Sequence, residues 1–189
     1  MPVNPYVHLV DFNLGKNMNS KIAFSAARRA LLGGAAWGAF SLIAGCSTET
    51  PVKLSDLTVQ TLDGQPVDLA RFKGKPVAIT FWATTCPGCV EEIPHMTALY
   101  DKFSAKGVQV IGMAMSYDSL SQLKAMSTEK KIPYLILQDK TGAAATAFGP
   151  VRLTPTFFVL DAEGNIRYQK IGPFDTVRVD QLLTELSKT

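Results

Sequence analysis

The segment Trp82-Ala83-Thr84-Thr85-Cys86-Pro87-Gly88-Cys89 constrains this 189-residue chain more than any other. Two cysteines three apart follow an apolar, β-branched run, Val77 to Trp82, and precede a stretch that reads as helix. That context puts Cys86 at a helix N-terminus, where backbone N–H groups lack intrahelical acceptors. Those donors and the helix dipole favour an anion, so they favour a thiolate at Cys86. Cys89 lies one turn further in on the same face, within reach of a disulfide. A strand, a CxxC and a helix together make a redox switch.

Two blander readings of the pair are weaker. A structural zinc needs four ligands, and beyond the pair the chain holds only Cys46, His8 and His95. A static disulfide closing so small a loop would restrict the unfolded chain little.

Charge separates the chain into a leader and a domain. Residues 1–45 carry four basic side chains (Lys16, Lys21, Arg28, Arg29) and one acid, Asp11. Of 19 basic and 16 acidic residues in all, 15 of each remain in 46–189, so the domain is near neutral and offers no case for nucleic-acid binding. The basic region, the apolar stretch Leu31 to Gly45 and the following cysteine read as a secretory signal. That stretch is too short and too glycine-rich for a stable membrane span. Ile43-Ala44-Gly45-Cys46 resembles a bacterial lipobox, which implies cleavage before Cys46 and acylation of its sulfur. A plain signal-peptidase site is the alternative. Ala27-Arg28-Arg29-Ala30-Leu31-Leu32 also looks like a twin-arginine signal, and Met18 is a second candidate start. Export to an oxidising compartment permits a disulfide. The expected domains are a signal peptide over 1–45, a polar tether over 46–56 and one redox domain over 57–189.

Periodicity predicts a β-hairpin from Leu57 to Leu69 around Asp63-Gly64, then a buried strand Val77 to Trp82. The CxxC helix is expected to run to about Lys106, with Pro94 kinking it. Further elements are a strand Val108 to Ala114, a helix Ser119 to Lys131, a strand Tyr134 to Leu137 and a short helix Thr141 to Phe148. A hairpin, Thr156 to Leu160 and Ile166 to Ile171, precedes a last helix, Thr176 to Ser187. The fold class is α/β: a central mixed sheet flanked by helices.

At this point the sequence resembles the thioredoxin superfamily and, within it, the membrane-anchored TlpA/ResA-like thiol–disulfide oxidoreductases, which are related to the AhpC/TSA redoxins. The stretches that carry the resemblance are Gly74-Lys75-Pro76, Phe81-Trp82-Ala83-Thr84, Cys86-Pro-Gly-Cys89, Glu92-Ile93-Pro94, Thr154-Pro155-Thr156 and Asp161-Ala-Glu-Gly164. It implies a thioredoxin fold with an N-terminal β-hairpin. It implies that Cys86 attacks, that Cys89 is the buried resolving thiol and that exchange passes through a mixed disulfide. It implies that Pro155 is cis, with the Thr154 backbone packed against the CxxC. Glu92 sits where many ResA-like members carry an acid, and its place three residues after Cys89 puts it on the same helix face. There it would accept or return the Cys89 proton. The bland alternative makes Glu91 and Glu92 a solvated helix surface.

Three departures matter. Thr85 stands where many members have Trp, which removes an aromatic from the docking surface. Thr80 stands where thioredoxin proper has a buried Asp. Pro87-Gly88 is neither thioredoxin's Gly-Pro nor the His-containing pair of strong oxidants. Trp82, Thr85, Pro87, Gly88 and Thr154 are the expected docking residues. The leading function is a lipid-anchored reductant in the bacterial periplasm or cell envelope. It would exchange the Cys86/Cys89 disulfide with partner proteins, with cytochrome c apoproteins among the candidates, and draw electrons from a membrane donor. A monomer without cofactor or metal is expected. Two alternatives share the residues. A peroxiredoxin-like peroxidase would want a Thr three residues before its reactive cysteine, where Cys86 has Ala83 and Cys89 has Cys86. A copper module would use the soft thiolates, with His95 nine residues past Cys86.

Overall fold

The computed structural model describes residues 52–54 and 57–188; the expected signal peptide, Cys46 and most of the tether lie outside the described residues. Seven strands form one mixed sheet: β1 (Thr58–Thr61), β2 (Pro66–Asp68), β3 (Val77–Trp82), β4 (Gln109–Ala114), β5 (Leu135–Gln138), β6 (Thr156–Leu160) and β7 (Ile166–Ile171). Their order is β2-β1-β5-β4-β3-β6-β7, with β3, β4 and β5 mutually parallel and the outer pairs antiparallel. The helices are α1 (Pro87–Phe103), α2 (Leu120–Glu129), α3 (Ala143–Ala147) and α4 (Thr176–Leu186). Among the described residues no helix is long and apolar enough to cross a membrane.

β3 is buried on both faces, as its nearly unbroken apolar run requires, and strand periodicity divides its side chains between two cores. Ile79 and Phe81 join Ile111, Met113, Phe148 and Phe158 on one face, beneath α3. Ala78 and Trp82 join Met96, Phe103, Leu123, Val179 and Leu183 on the other, beneath α1, α2 and α4. Thr80 lies between Ala78 and Trp82, so the same alternation turns it toward α1. That placement decides what the buried end of the site contains.

Several boundaries move for local reasons. α1 continues through Pro94 but stops at Phe103; Ser104–Lys106 is a 3₁₀ turn closed by Gly107 at φ 87°. Ser119 is the N-cap of α2 rather than its first turn, its Oγ accepting from the Gln122 N–H at 3.3 Å. β2 ends at Asp68, whose carboxylate takes the Ala70 N–H at 2.8 Å and starts a 3₁₀ turn, Leu69–Phe72. Val52, read as tether, is buried, and its N–H donates to the Gly164 carbonyl at 3.0 Å. Val52 therefore packs on the domain.

Candidate active site

Cys86 and Cys89 form a disulfide across the first turn of α1, with Cα atoms 5.3 Å apart. Three local choices in the sequence build that turn. Cys86 is the N-cap in extended geometry, and its Sγ accepts from the Cys89 N–H at 3.2 Å. Pro87 takes the first helical position, where no N–H is needed and its fixed φ suits the helix. Gly88 lies against the Thr154–Pro155 loop: a Cβ there would meet Pro155 Cδ at 3.8 Å. Cys86 is half-buried while Cys89 is 3% exposed, so the sulfur at the helix end is the one a partner can reach.

The Thr154–Pro155 peptide is cis, and the Thr154 carbonyl oxygen lies 3.4 Å from Cys86 Sγ. β6 is antiparallel to β3, so the chain enters β6 beside the end of β3 that leads into Cys86. Of the residues expected to dock a partner, Thr85 and Pro87 are exposed and Gly88 and Thr154 half-buried. Trp82 differs. Expected at the docking surface, it is 3% exposed, because the strand alternation points its ring into the core beside Tyr134 and over Gly112. Its Nε1 has no hydrogen-bond partner among the described residues.

Glu92 is 3% exposed, whereas Glu91 is exposed; the solvated reading fails for Glu92 alone. The buried stripe of α1 runs Cys89, Glu92, Ile93, Met96, Leu99, Phe103, so helical periodicity puts the carboxyl one turn below Cys89. Its oxygens accept from Thr80 Oγ1 at 3.2 Å and from the Phe174 N–H at 3.2 Å. Burial pushes its pKa up, and the Phe174 N–H, the Thr80 hydroxyl and nearby His95 offset only part of that. Desolvation wins because both donors are neutral. Tyr134, also buried and facing the same carboxyl, is pushed up as well, first by desolvation and then by Glu92.

A second carboxylate was not singled out by spacing. Asp118, in the β4–α2 loop, accepts from the Thr84 N–H at 2.9 Å and from Thr84 Oγ1 at 2.8 Å. Its own carbonyl accepts from Gln138 Nε2 at 2.5 Å, and Gln60 Nε2 donates to Gln138 Oε1 at 2.6 Å. This chain of bonds ties the residue two before Cys86 to β5 and β1. Phe174 is the other missed position, since its contribution is a backbone N–H. Neither has a sequence signal: Asp118 is 32 residues from Cys86 in the chain, and any residue but proline supplies an N–H. Among the described residues no group of three or more His, Cys, Asp or Glu side chains is placed to hold a metal ion. His95 is exposed, its ring 6.3 Å from that of Phe174.

A cysteine pair closing the first turn of a helix, a cis proline against its outer sulfur and a mixed sheet below define a thioredoxin-fold thiol–disulfide oxidoreductase. The chain belongs to the Redoxin family, whose model matches residues 38–186. It is 28% identical over 132 residues to the thiol-disulfide oxidoreductase ResA of Bacillus thuringiensis subsp. konkukian, covering 70% of this chain and 75% of the relative. It is 32% identical over 136 residues to the chloroplastic peroxiredoxin Q of Sedum lineare, covering 68% and 69%. Among solved structures, a thiol:disulfide interchange protein of the thioredoxin family from Chlorobium tepidum matches with a TM-score of 0.61 at 29% identity, over 69% of this chain and 92% of that one. The resemblance read from the motifs is thus met in the fold and in the relatives: the enzyme is a TlpA/ResA-like thiol–disulfide oxidoreductase.

Proposed function

We propose that this enzyme is an exported, lipid-anchored reductant of protein disulfides in the bacterial cell envelope. The observation that carries the reading is the asymmetry of the pair: Cys86 half-buried at the rim against the Thr154 carbonyl, and Cys89 sealed beneath it, one helical turn from a buried carboxyl. In the reduced form the Cys86 thiolate attacks one sulfur of a partner disulfide, and the partner's other sulfur leaves as a thiolate. Cys89 loses its proton toward Glu92 and attacks Cys86 Sγ. The mixed disulfide breaks, the partner's second thiolate departs, and the Cys86–Cys89 disulfide remains. Two electrons pass to the partner, and a membrane-side dithiol donor restores them. Lipobox-like Ile43 to Cys46 supports the anchor, with cytochrome c apoproteins as one partner class.

A thiol peroxidase is the second reading, favoured by the likeness to peroxiredoxin Q. Against it stands the site: Ala83 offers no hydroxyl three residues before Cys86, and the Thr84 hydroxyl is committed to Asp118. Stopped-flow oxidation of the reduced protein decides between them. Fast reaction with a protein disulfide and slow reaction with hydrogen peroxide are expected; the reverse order overturns the proposal. A Cys89→Ser variant should accumulate mixed disulfides that name the partner. The anchor is tested separately with a clickable fatty acid, where wild type should label and Cys46→Ala should not.

A further inference from the structure

Two backbone N–H donors two residues apart, Gly172 and Phe174, join the buried carboxyl to the loop beside Cys86. The Phe174 N–H donates to Glu92 Oε1, and the Gly172 N–H donates to the Pro155 carbonyl at 2.8 Å. Gly172-Pro173-Phe174 is the link between β7 and α4, and it bridges the buried carboxyl and the docking loop. With the Cys86–Cys89 bond, the Thr154 carbonyl beside Cys86 Sγ and the α1 turn from Cys89 to Glu92, these contacts close a ring around the redox pair.

Both ends of the link are held. The Phe174 ring stacks on Phe157 of β6, centroids 4.1 Å apart. The following Asp175 caps α4 through the Arg178 N–H at 3.0 Å, and its own N–H donates to the Tyr168 hydroxyl at 3.2 Å. Gly172 has φ +83°, a left-handed turn, with nothing within 4 Å of where a Cβ would sit. Pro173, with its φ fixed by the ring, is the one residue between the two donors, so the bonds at Gly172 and Phe174 are joined by a short, stiff link.

We infer that Gly172–Phe174 is a positioning strap, by which the charge on Glu92 sets how firmly the Thr154–Pro155 loop is held for a docked protein disulfide. The inference rests on the proposed exchange reaction. The physical reason is that a hydrogen bond to an ionised carboxylate is about twice as strong as one to a neutral acceptor. When Glu92 takes up the proton shed by Cys89, the hold on Phe174 weakens, and the strap loosens the Pro155 carbonyl at the moment the partner must leave. Besides the Phe174 N–H, the groups facing Glu92 are Thr80 on β3, His95 on its own helix and Tyr134 before β5.

The test reads the strap without needing turnover. In TROSY spectra of the ¹⁵N-labelled full chain, kept in solution with a mild detergent, the Phe174, Gly172 and Thr156 amides should titrate with one shared midpoint. Glu92→Gln should abolish the movement of all three. A Phe174 amide that titrates while Gly172 and Thr156 stay fixed overturns the relay, whatever the enzyme reduces. The second arm is Gly172→Ala, which strains the turn without touching either cysteine. Its KM for insulin disulfides should rise about fivefold, the value of one bond between neutral groups such as the Gly172 N–H and the Pro155 carbonyl. Its kcat, and its rate with a small disulfide that needs no docking loop, should stay at wild type. An unchanged KM in a folded Gly172→Ala protein also sinks the idea; should that variant not fold, the titration alone decides.

Discussion

At the scale of single residues, the site is a contest between burial and charge. Glu92 is sealed beneath Cys89, and two neutral donors do not replace the water it gives up, so its pKa stands above the ordinary carboxylate range. The sign for stability follows. The folded state keeps the Glu92 proton to higher pH than the unfolded chain does. Between the unfolded and the raised folded pKa the native state therefore binds more protons, and stability falls as pH rises through that window. In Glu92→Gln that contribution disappears. We expect the oxidised variant to unfold at a higher denaturant midpoint than wild type at neutral pH, with the difference shrinking on acidification. Urea titrations at several pH values measure it, and a pH-independent difference would put the carboxyl in water.

At the scale of elements, the loop before Cys86 owes its shape to a carboxylate from another loop. Asp118 takes both the N–H and the hydroxyl of Thr84, while Gln138 and Gln60 hold Asp118 in turn. Asp118→Ala leaves the half-buried Thr84 N–H without its acceptor, which costs about 1 kcal/mol, the low end of the range for a buried donor. Asp118→Asn keeps one acceptor and should lose less. Thermal or urea unfolding ranks the two variants; a loss for alanine no larger than for asparagine would mean the clamp adds nothing. Since Thr84 fixes the entry to α1, Cys86 in the alanine variant should also exchange more slowly.

At the scale of the whole molecule, apolar exposure is concentrated at one end. Of the five large apolar side chains markedly exposed among the described residues, Tyr117, Leu153, Ile171 and Val177 lie on segments at the end of the sheet that carries Cys86. Sheet order explains the closest two. β4 and β6 flank β3, so the loop leaving β4 brings Tyr117, 64% exposed, to one side of the disulfide, and the loop entering β6 brings Leu153, 61% exposed, to the other. An aromatic thus returns to the rim that Thr85 leaves without one, from a loop 32 residues away. Changing both to Ser should raise KM for a protein disulfide and leave the rate with a small disulfide alone. Stability should move by no more than about 0.5 kcal/mol, as at other exposed positions. A variant with unchanged KM would place the docking surface elsewhere.

The sequence by itself determined whatever depends on near neighbours. The nearly unbroken apolar run Val77 to Trp82 reads as a buried strand, Cys86 before Pro87 as a helix N-cap, and Glu92, three residues past Cys89 on that helix, as sharing its face, and each is so. Only the tertiary structure decided how far that face is buried, which core receives Trp82, and that the Val52 segment is packed rather than free. It also decided the partners of Glu92 and of Thr84, because Phe174 and Asp118 are brought there by strands pairing across the sheet. Local order follows from dihedral preference and periodicity over a few residues. Long-range hydrogen bonds such as Phe174 to Glu92, 82 residues apart, form only once packing has aligned the elements that carry them.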